Sequence, residues 1–487
     1  MSLVPRIFPY EYPRLAQIEI WSVLRELEKN KAIFIEAPTG VGKTSAILSY
    51  LLEKYDRVLW FCYTHRQQEV VLKEAGRIEE KIGVHLNTVL IRGISSLCLF
   101  KEVRESIFPH QACRYYSAIH GCAHCPYKEQ FLKALSSRLV VVTYAYLKEP
   151  YFKKISSLID LADVVVFDEA HHLLLPPRIE IPVQWAEKAY NEIKCTFFEK
   201  MINREKIILV SSAPSITKCE EIFWRNGLSY SLEIVLQSVQ ASKLFLNRKT
   251  NKYLGIDEKF HRKLSDILKT KETVITSATL PNNLPTVLRH FSYSFYKVEN
   301  HEYCFRTLIF IGSSLPKKKW YNSKTLSEVS KVLDIASRYY RKVLAVFPSQ
   351  DTLRNYLRHY SLSRNTTSIV AGSREAEGID VNANICIILG VPYDRVTRIT
   401  IETVKYFRRY ASRPKTLGYT IPAVIKAVQA AGRILRKPNR VIVFYDKRWL
   451  DLKKYFPAWL KNKNIKAIKN SHELYNELIF SSIISNS

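Results

Sequence analysis

Long apolar runs are missing from this sequence. The longest nearly apolar stretch, Leu139 to Leu147, is nine residues counting Thr143, too short to cross a bilayer. The opening Met1-Ser2-Leu3-Val4-Pro5-Arg6 lacks the apolar region of a secretory signal, so a soluble cytoplasmic protein without a membrane partner is expected. No internal repeat, heptad run or low-complexity segment is evident, which leaves an ordinary globular chain. Acidic residues are scarce, with 45 Asp+Glu against 74 Lys+Arg and a net charge of +29 over 487 residues. Because 47% of the residues are hydrophobic and 12% aromatic, the shortage does not mark a histone-like or protamine-like polycation; the chain has core enough for two or more domains. The positive excess points to a polyanion, with nucleic acid ahead of acidic lipid; a solubility or thermophilic surface is the bland alternative. Nine cysteines, an odd number, argue against a disulfide scaffold and prompt a search for a metal site.

Short runs rich in Val, Ile and Leu recur between helical stretches at Lys31 to Ala37, Arg57 to Thr64, Thr88 to Arg92, Leu139 to Tyr144, Val164 to Asp168 and Thr273 to Ser277. Apolar runs without strict alternation predict buried parallel strands. A second series follows at Thr307 to Ile311, Lys342 to Phe347, Thr367 to Val370, Ile385 to Gly390 and Val441 to Tyr445. The prediction is an α/β protein of two lobes, dividing near residue 300. Residues 1–97, 139–172 and 272–300 make lobe one and 301–487 lobe two. Two segments interrupt lobe one: 98–138, rich in Cys and His, and 173–271, read as mostly helical and basic.

After the first predicted strand comes Ala37-Pro38-Thr39-Gly40-Val41-Gly42-Lys43-Thr44, then an apolar helical pattern. This is a phosphate-binding loop in strand–loop–helix context. Its glycines let backbone N–H groups approach phosphate, Lys43 neutralises the β and γ phosphates, and the Thr44 hydroxyl can ligate Mg²⁺. The run Val164 to His171 ends a strand in two carboxylates. There Asp168 would hold Mg²⁺ and Glu169 would take a proton from the water attacking the γ-phosphate of ATP.

The phosphate loop, the Asp168-Glu169-Ala170-His171 box, Thr276-Ser277-Ala278-Thr279 and Gln429-Ala430-Ala431-Gly432-Arg433-Ile434-Leu435-Arg436 resemble, in that order, the motifs of superfamily 2 helicases. Arg92-Gly93 before Cys98, Cys125-Pro126-Tyr127, Val346 to Ser349, Glu377-Gly378-Ile379-Asp380, Gly390 to Tyr393 and Asp446 to Arg448 narrow the resemblance to the XPD/DinG branch, iron–sulfur helicases that move 5′ to 3′ on single-stranded DNA. The resemblance implies two RecA-like lobes, a small Fe–S insertion and an arch-like insertion in lobe one. It implies that Arg14 and Gln17 recognise adenine, that Gln429 belongs to the nucleotide site, and that Arg433 and Arg436 are arginine fingers. Spaced three apart, both guanidiniums share one helix face. Glu377 and Asp380 would couple nucleotide state to DNA contact. The implied role is a monomeric DNA-repair helicase acting on single strands and junctions; an RNA helicase and a non-motor nucleic-acid clamp remain as alternatives. In two respects the chain departs from its relatives: Ala376 stands where Ser is usual, and 173–271 is far shorter than their arch.

Cys98, Cys113, Cys122 and Cys125 lie within 28 residues, with 14, 8 and 2 residues between successive members. Four thiolates suit a 4Fe-4S cluster or tetrahedral Zn²⁺ equally by spacing, and His110, His120 and His124 lie close enough to serve a zinc site. Position, by the resemblance, favours the 4Fe-4S cluster. For nucleic acid, Lys405-Tyr406-Phe407-Arg408-Arg409-Tyr410 with Arg413 and Lys415 interleaves cations and rings that can pair phosphates and stack bases. A solvated basic helix with core aromatics has the same pattern. Tyr144, Tyr146, Arg92, Lys101, Arg104 and Arg114 are further candidates.

Overall fold

The computed structural model describes residues 3–28, 31–149, 151–289, 292–299, 305–373, 381–435, 437–461 and 465–486. Five strands come first: β1 (Ala32–Glu36), β2 (Val58–Cys62), β3 (Thr88–Leu90), β4 (Leu139–Thr143) and β5 (Val164–Asp168). Apart from the short edge strand β3, every residue in them is buried. That is the condition of parallel strands covered by helices on both faces. The chain leaves this sheet twice. Between β3 and β4 it forms short helices, Lys101–Arg104, Pro109–His120 and Pro126–Leu135.

Beyond β5 it builds β6 (Arg178–Pro182), β7 (Ile207–Leu209), β8 (Lys243–Asn247) and β9 (Lys252–Ile256), together with four helices between Val183 and Ser238. The sequence pattern here predicts a mostly helical segment; the segment also carries a four-stranded antiparallel sheet in the order β6-β9-β8-β7. The cause is local. β6 alternates exposed and buried positions, and β8 returns as β9 through a turn closed by Asn251 in the left-handed region, φ 50°, which Asn tolerates better than most residues. The segment has its own core, including Phe197, Phe198, Phe223 and Tyr253.

The chain then re-enters the first sheet as β10 (Glu272–Ser277) and β11 (Tyr293–Lys297), giving a seven-stranded parallel order of β11-β1-β10-β5-β2-β4-β3. Lobe two adds β12 (Phe305–Phe310), β13 (Val343–Phe347), β14 (Thr366–Val370), β15 (Ile385–Leu389), β16 (Arg440–Tyr445) and β17 (Ile465–Ile468), again parallel, in the order β14-β13-β15-β16-β12-β17. Two RecA-like lobes thus stand side by side, as expected. Buried polar contacts join them near the C-terminal end of β1: the Ala458 N–H donates to Glu36 Oε1 (2.7 Å), and Trp459 Nε1 donates to the Ala278 carbonyl (2.7 Å).

The insertion of β6 to β9 is tied on both sides. Gln111, in the Cys-rich segment, donates to the Ser229 carbonyl (3.0 Å) and accepts from the Ser229 N–H (2.9 Å), and Arg114 pairs with Glu220 (2.9 Å). Toward lobe two, Lys243 pairs with Glu402 (3.4 Å) and Arg409 with Glu258 (3.3 Å). Short as it is, the segment bridges the Cys-rich helices and lobe two.

Candidate active site

The C-terminal ends of β1 and β5 open onto a cleft of about 630 Å³ lined by Arg14, Gln17, Thr39, Gly40, Gly42, Lys43, Thr44, Asp168 and Glu169 of lobe one and by Arg433 of lobe two. Gly40 and Gly42 both have φ near +80°, a conformation other residues resist. A side chain at Gly42 would also strike the Gln17 amide, whose Nε2 donates to the Gly42 carbonyl (3.2 Å). Arg14 reaches the Gly40 carbonyl from the same helix start. Arg14 and Gln17 therefore brace the phosphate loop directly. Lys43 Nζ donates to the carbonyls of Ala37 (3.0 Å) and Pro38 (2.9 Å). Ala37 and Val41 are buried behind the loop and contribute backbone only.

Across the cleft Asp168 is buried, its Oδ1 accepting the Glu169 N–H (2.9 Å). Burial and the neighbouring Glu169 charge push its carboxyl up to about 7, with Lys43 pulling the other way. Glu169 has φ +52°, a left-handed strain of about 1–3 kcal/mol that non-glycine residues carry mainly at functional sites. Burial pushes its carboxyl up, but the His171 hydrogen bond and the charges of His171 and Lys43 outweigh this and hold it well below the usual range. Glu169 is thus ionised at neutral pH, while Thr44 and Asp168 supply the oxygens that would hold Mg²⁺ beside the phosphates.

Glu169 is also wired across the lobes. Ser277 Oγ, at the end of β10, donates to Glu169 Oε2 (3.0 Å), and since a hydroxyl has one proton it accepts from His171 Nδ1 (2.8 Å) and from the Thr279 N–H (3.1 Å). Gln429 Nε2 stands 2.8 Å from His171 Nε2. Gln429 therefore meets the acidic box through His171 and does not line the cleft. Thr39 Oγ1 donates to the Gly432 carbonyl (3.0 Å), so the phosphate loop touches the turn that carries Arg433. Glu377, Asp380, Ala376 and Arg436 lie outside the described residues.

Sequence reading missed several residues of this cleft, among them Tyr10, Tyr12, Thr64, Arg66, Gln67, Val70 and Glu74. One signal was available: Thr64 and Gln67 form a capping box at the helix start after β2, with Gln67 N–H to Thr64 Oγ1 at 3.3 Å and Thr64 N–H to Gln67 Oε1 at 2.9 Å.

The four clustered cysteines, 98, 113, 122 and 125, line one cavity of about 110 Å³ with Phe100, Val103 and Tyr116. Burial raises the Cys113 thiol, and Lys154 pulls it back down. Among the described residues no three His, Cys, Asp or Glu side chains close around a point as a single metal ion requires. His110 faces Glu233 (3.3 Å), while His120 and His124 are exposed.

The aromatic half of the nucleic-acid expectation needs correction. Tyr406 and Phe407 are buried, so their rings cannot stack on bases, whereas Lys405, Arg408 and Arg409 point to solvent. Tyr144 and Tyr146 are buried too, donating to the Asp168 carbonyl (2.7 Å) and the Arg92 carbonyl (3.0 Å); both brace strand ends. Lys101, Arg104 and Arg114 are exposed. No helix among the described residues is long and apolar enough to cross a membrane.

Two RecA-like lobes that share a cleft holding a phosphate loop, an acidic box and a lobe-two arginine define a superfamily 2 helicase core. Residues 16–222 match the DEAD/DEAH box helicase model and residues 320–463 the helicase C-terminal domain model. Along most of its length the chain is similar to the ATP-dependent DNA helicase XPD of Sulfolobus acidocaldarius, 22% identical over 92% of this chain and 96% of that one. A solved XPD helicase superposes with a TM-score of 0.67 at 20% identity, covering 94% of this chain and all of that one. Xpd4 of S. tokodaii gives 0.64 at 16% identity, covering 93% of this chain. Within its class the chain is an XPD-like helicase, with which ATP and Mg²⁺ are consistent.

Proposed function

We propose that this protein is an ATP-dependent 5′ to 3′ helicase or translocase on single-stranded DNA, acting in DNA repair. The observation that carries the motor reading is the shared cleft, in which Lys43 and Glu169 face Arg433 of the other lobe. Hydrolysis then requires the lobes to be together, and release of product lets them part, which is how a two-lobed core turns ATP into movement along a strand. The net charge of +29 supports a polyanionic track, with binding that weakens steeply as salt rises. Polarity and choice of strand rest on the likeness to XPD. Duplexes tailed at one end test them: unwinding is expected from a 5′ DNA tail, and faster unwinding from a 3′ tail, or from RNA tails alone, overturns the assignment.

A 4Fe-4S cluster is supported by the four clustered cysteines lining one cavity. Cys98, Cys113, Cys122 and Cys125 would hold it, and when bound it would serve structurally, fastening the short helices into a wedge ahead of the groove. Iron and acid-labile sulfide assayed on anaerobically purified protein should each approach about four per chain. Stoichiometric zinc without iron contradicts the cluster, and replacing Cys113 by serine should lower the iron content while leaving strand-independent ATP hydrolysis largely intact.

A further inference from the structure

Away from the nucleotide cleft, the insertion, the helix Phe260–Thr270 and lobe two enclose a second cleft of about 750 Å³. Lys259, Arg262, Lys269, Arg289 and Arg409 line it and are exposed. Two acids, Glu258 and Asp266, share it, and Glu258 is paired with Arg409. Among the described residues Lys259, Arg262 and Lys269 are in no ion pair. A surplus of exposed cations around one concave site suits a chain of phosphates.

At the base of this cleft lies Tyr410, with the Arg289 guanidinium over its ring at 5.3 Å. From there a line of hydrogen bonds runs inward. Tyr410 Oη meets Tyr406 Oη (3.2 Å), Tyr406 Oη meets His261 Nδ1 (2.7 Å), and His261 Nε2 meets the Leu173 carbonyl (2.8 Å). Leu173 ends the single turn Ala170–Leu173, which starts at Glu169 and contains His171.

The direction of these bonds is determined. A carbonyl can only accept, so His261 Nε2 carries the proton. Burial holds the His261 ring down to about 4, so it is neutral and Nδ1 must accept from the Tyr406 hydroxyl. The Tyr406 proton is then committed, and Tyr410 must be the donor to Tyr406. Every link points the same way, from the cleft to the turn behind Glu169, and the line crosses three parts of the fold: lobe two, the helix Phe260–Thr270, and the turn after β5. Such a chain has little slack, because moving one buried member leaves its neighbour without a partner.

We propose that this cleft holds a stretch of the phosphodiester backbone, and that His261 is a positioning residue linking its occupancy to the turn that carries Glu169 and His171. The proposal rests on the reading of the protein as a nucleic-acid-stimulated ATPase and adds a route for the stimulation. A strand drawn against Arg289 and Arg409 loads Tyr410, and Tyr406 and His261 pass the displacement to the Leu173 carbonyl.

The test compares ATP hydrolysis with and without saturating oligo(dT) in full-length Tyr406→Phe, His261→Phe and His261→Gln, together with oligo(dT) affinity and thermal stability. Tyr406→Phe keeps the ring and removes one hydroxyl. In this variant and in His261→Phe the strand-stimulated rate should fall about fivefold or more, while strand-free hydrolysis and affinity for oligo(dT) stay near those of the unmodified chain. His261→Gln, whose amide can still donate to Leu173 and accept from Tyr406, should recover part of the stimulation. Unchanged stimulation in both phenylalanine variants overturns the relay. A parallel fall of strand-free rate and thermal stability also overturns it, since it makes His261 merely structural. The triple variant Lys259→Ala, Arg262→Ala, Lys269→Ala should weaken oligo(dT) binding and lower the slope of log affinity against log salt by about 2; an unchanged slope removes the strand from this cleft. If oligo(dT) fails to stimulate the unmodified protein, the helicase reading itself fails, a result distinct from the others.

Discussion

Arg433→Ala is expected to lower the rate of ATP hydrolysis about a thousandfold or more, the usual loss on removing an arginine finger. Among the described residues of lobe two, Arg433 lines the cleft that also contains Lys43, Asp168 and Glu169. It follows the buried helix Ile421–Gly432, whose last carbonyl accepts from Thr39 of the phosphate loop at 3.0 Å. That contact joins the Thr39 hydroxyl to the Gly432 carbonyl and does not involve the Arg433 side chain, so it survives the substitution, lobe docking is retained and the loss falls on the charge developing at the γ-phosphate. Nucleotide affinity should change only a few-fold. Arg433→Lys keeps a cation without the planar fork and should recover little of the rate. Rates and nucleotide dissociation constants measured together check this; a rate within about tenfold of the unmodified protein, against the loss typical of such fingers, would remove Arg433 from the chemistry.

Glu169→Gln should lower the rate about 10²–10⁴-fold, the contribution of a positioned general base. The substitution is conservative in shape: glutamine can still accept from Ser277 Oγ, which lies 3.0 Å from Glu169 Oε2. The strained backbone at φ +52° and the contact between His171 and Gln429 need not change. What disappears is a carboxylate that His171 and Lys43 hold ionised at the wall of the cleft. ATP should therefore still bind, and the variant should retain nucleotide and remain on the strand. Loss of ATP binding in Glu169→Gln would show that the residue supports the loop and is no base.

Much of this architecture is legible in the order of residues alone. The strand predicted at Lys31 to Ala37 is Ala32–Glu36, and that at Val441 to Tyr445 is Arg440–Tyr445, because strands buried on both faces leave unbroken apolar runs. The phosphate loop and the acidic box are equally plain, being contiguous in sequence and bound to strand ends. Two of the edge strands escape such a reading: Tyr293–Lys297 and Ile465–Ile468 are partly exposed and carry lysine, so their pattern fades into loop. The antiparallel sheet of the insertion is hidden for the same reason. Residues 405–410 show a different limit. Cations and rings alternate there whether the rings stack on bases or pack inward, and only tertiary packing sends Tyr406 to His261, 145 positions away. Bonds of that span leave no local trace in the sequence. The lines from Gln429 to Glu169 and from Tyr410 to Leu173 are visible only once the lobes are folded together.

The measurement closest to the central claim is steady-state ATP hydrolysis by the unmodified chain with and without single-stranded DNA, run beside Glu169→Gln. A motor of this design should hydrolyse ATP slowly alone and at least about tenfold faster on the strand, within the range typical of coupling between two sites, and Glu169→Gln should abolish both rates. Hydrolysis indifferent to DNA, or undiminished by the substitution, would contradict it.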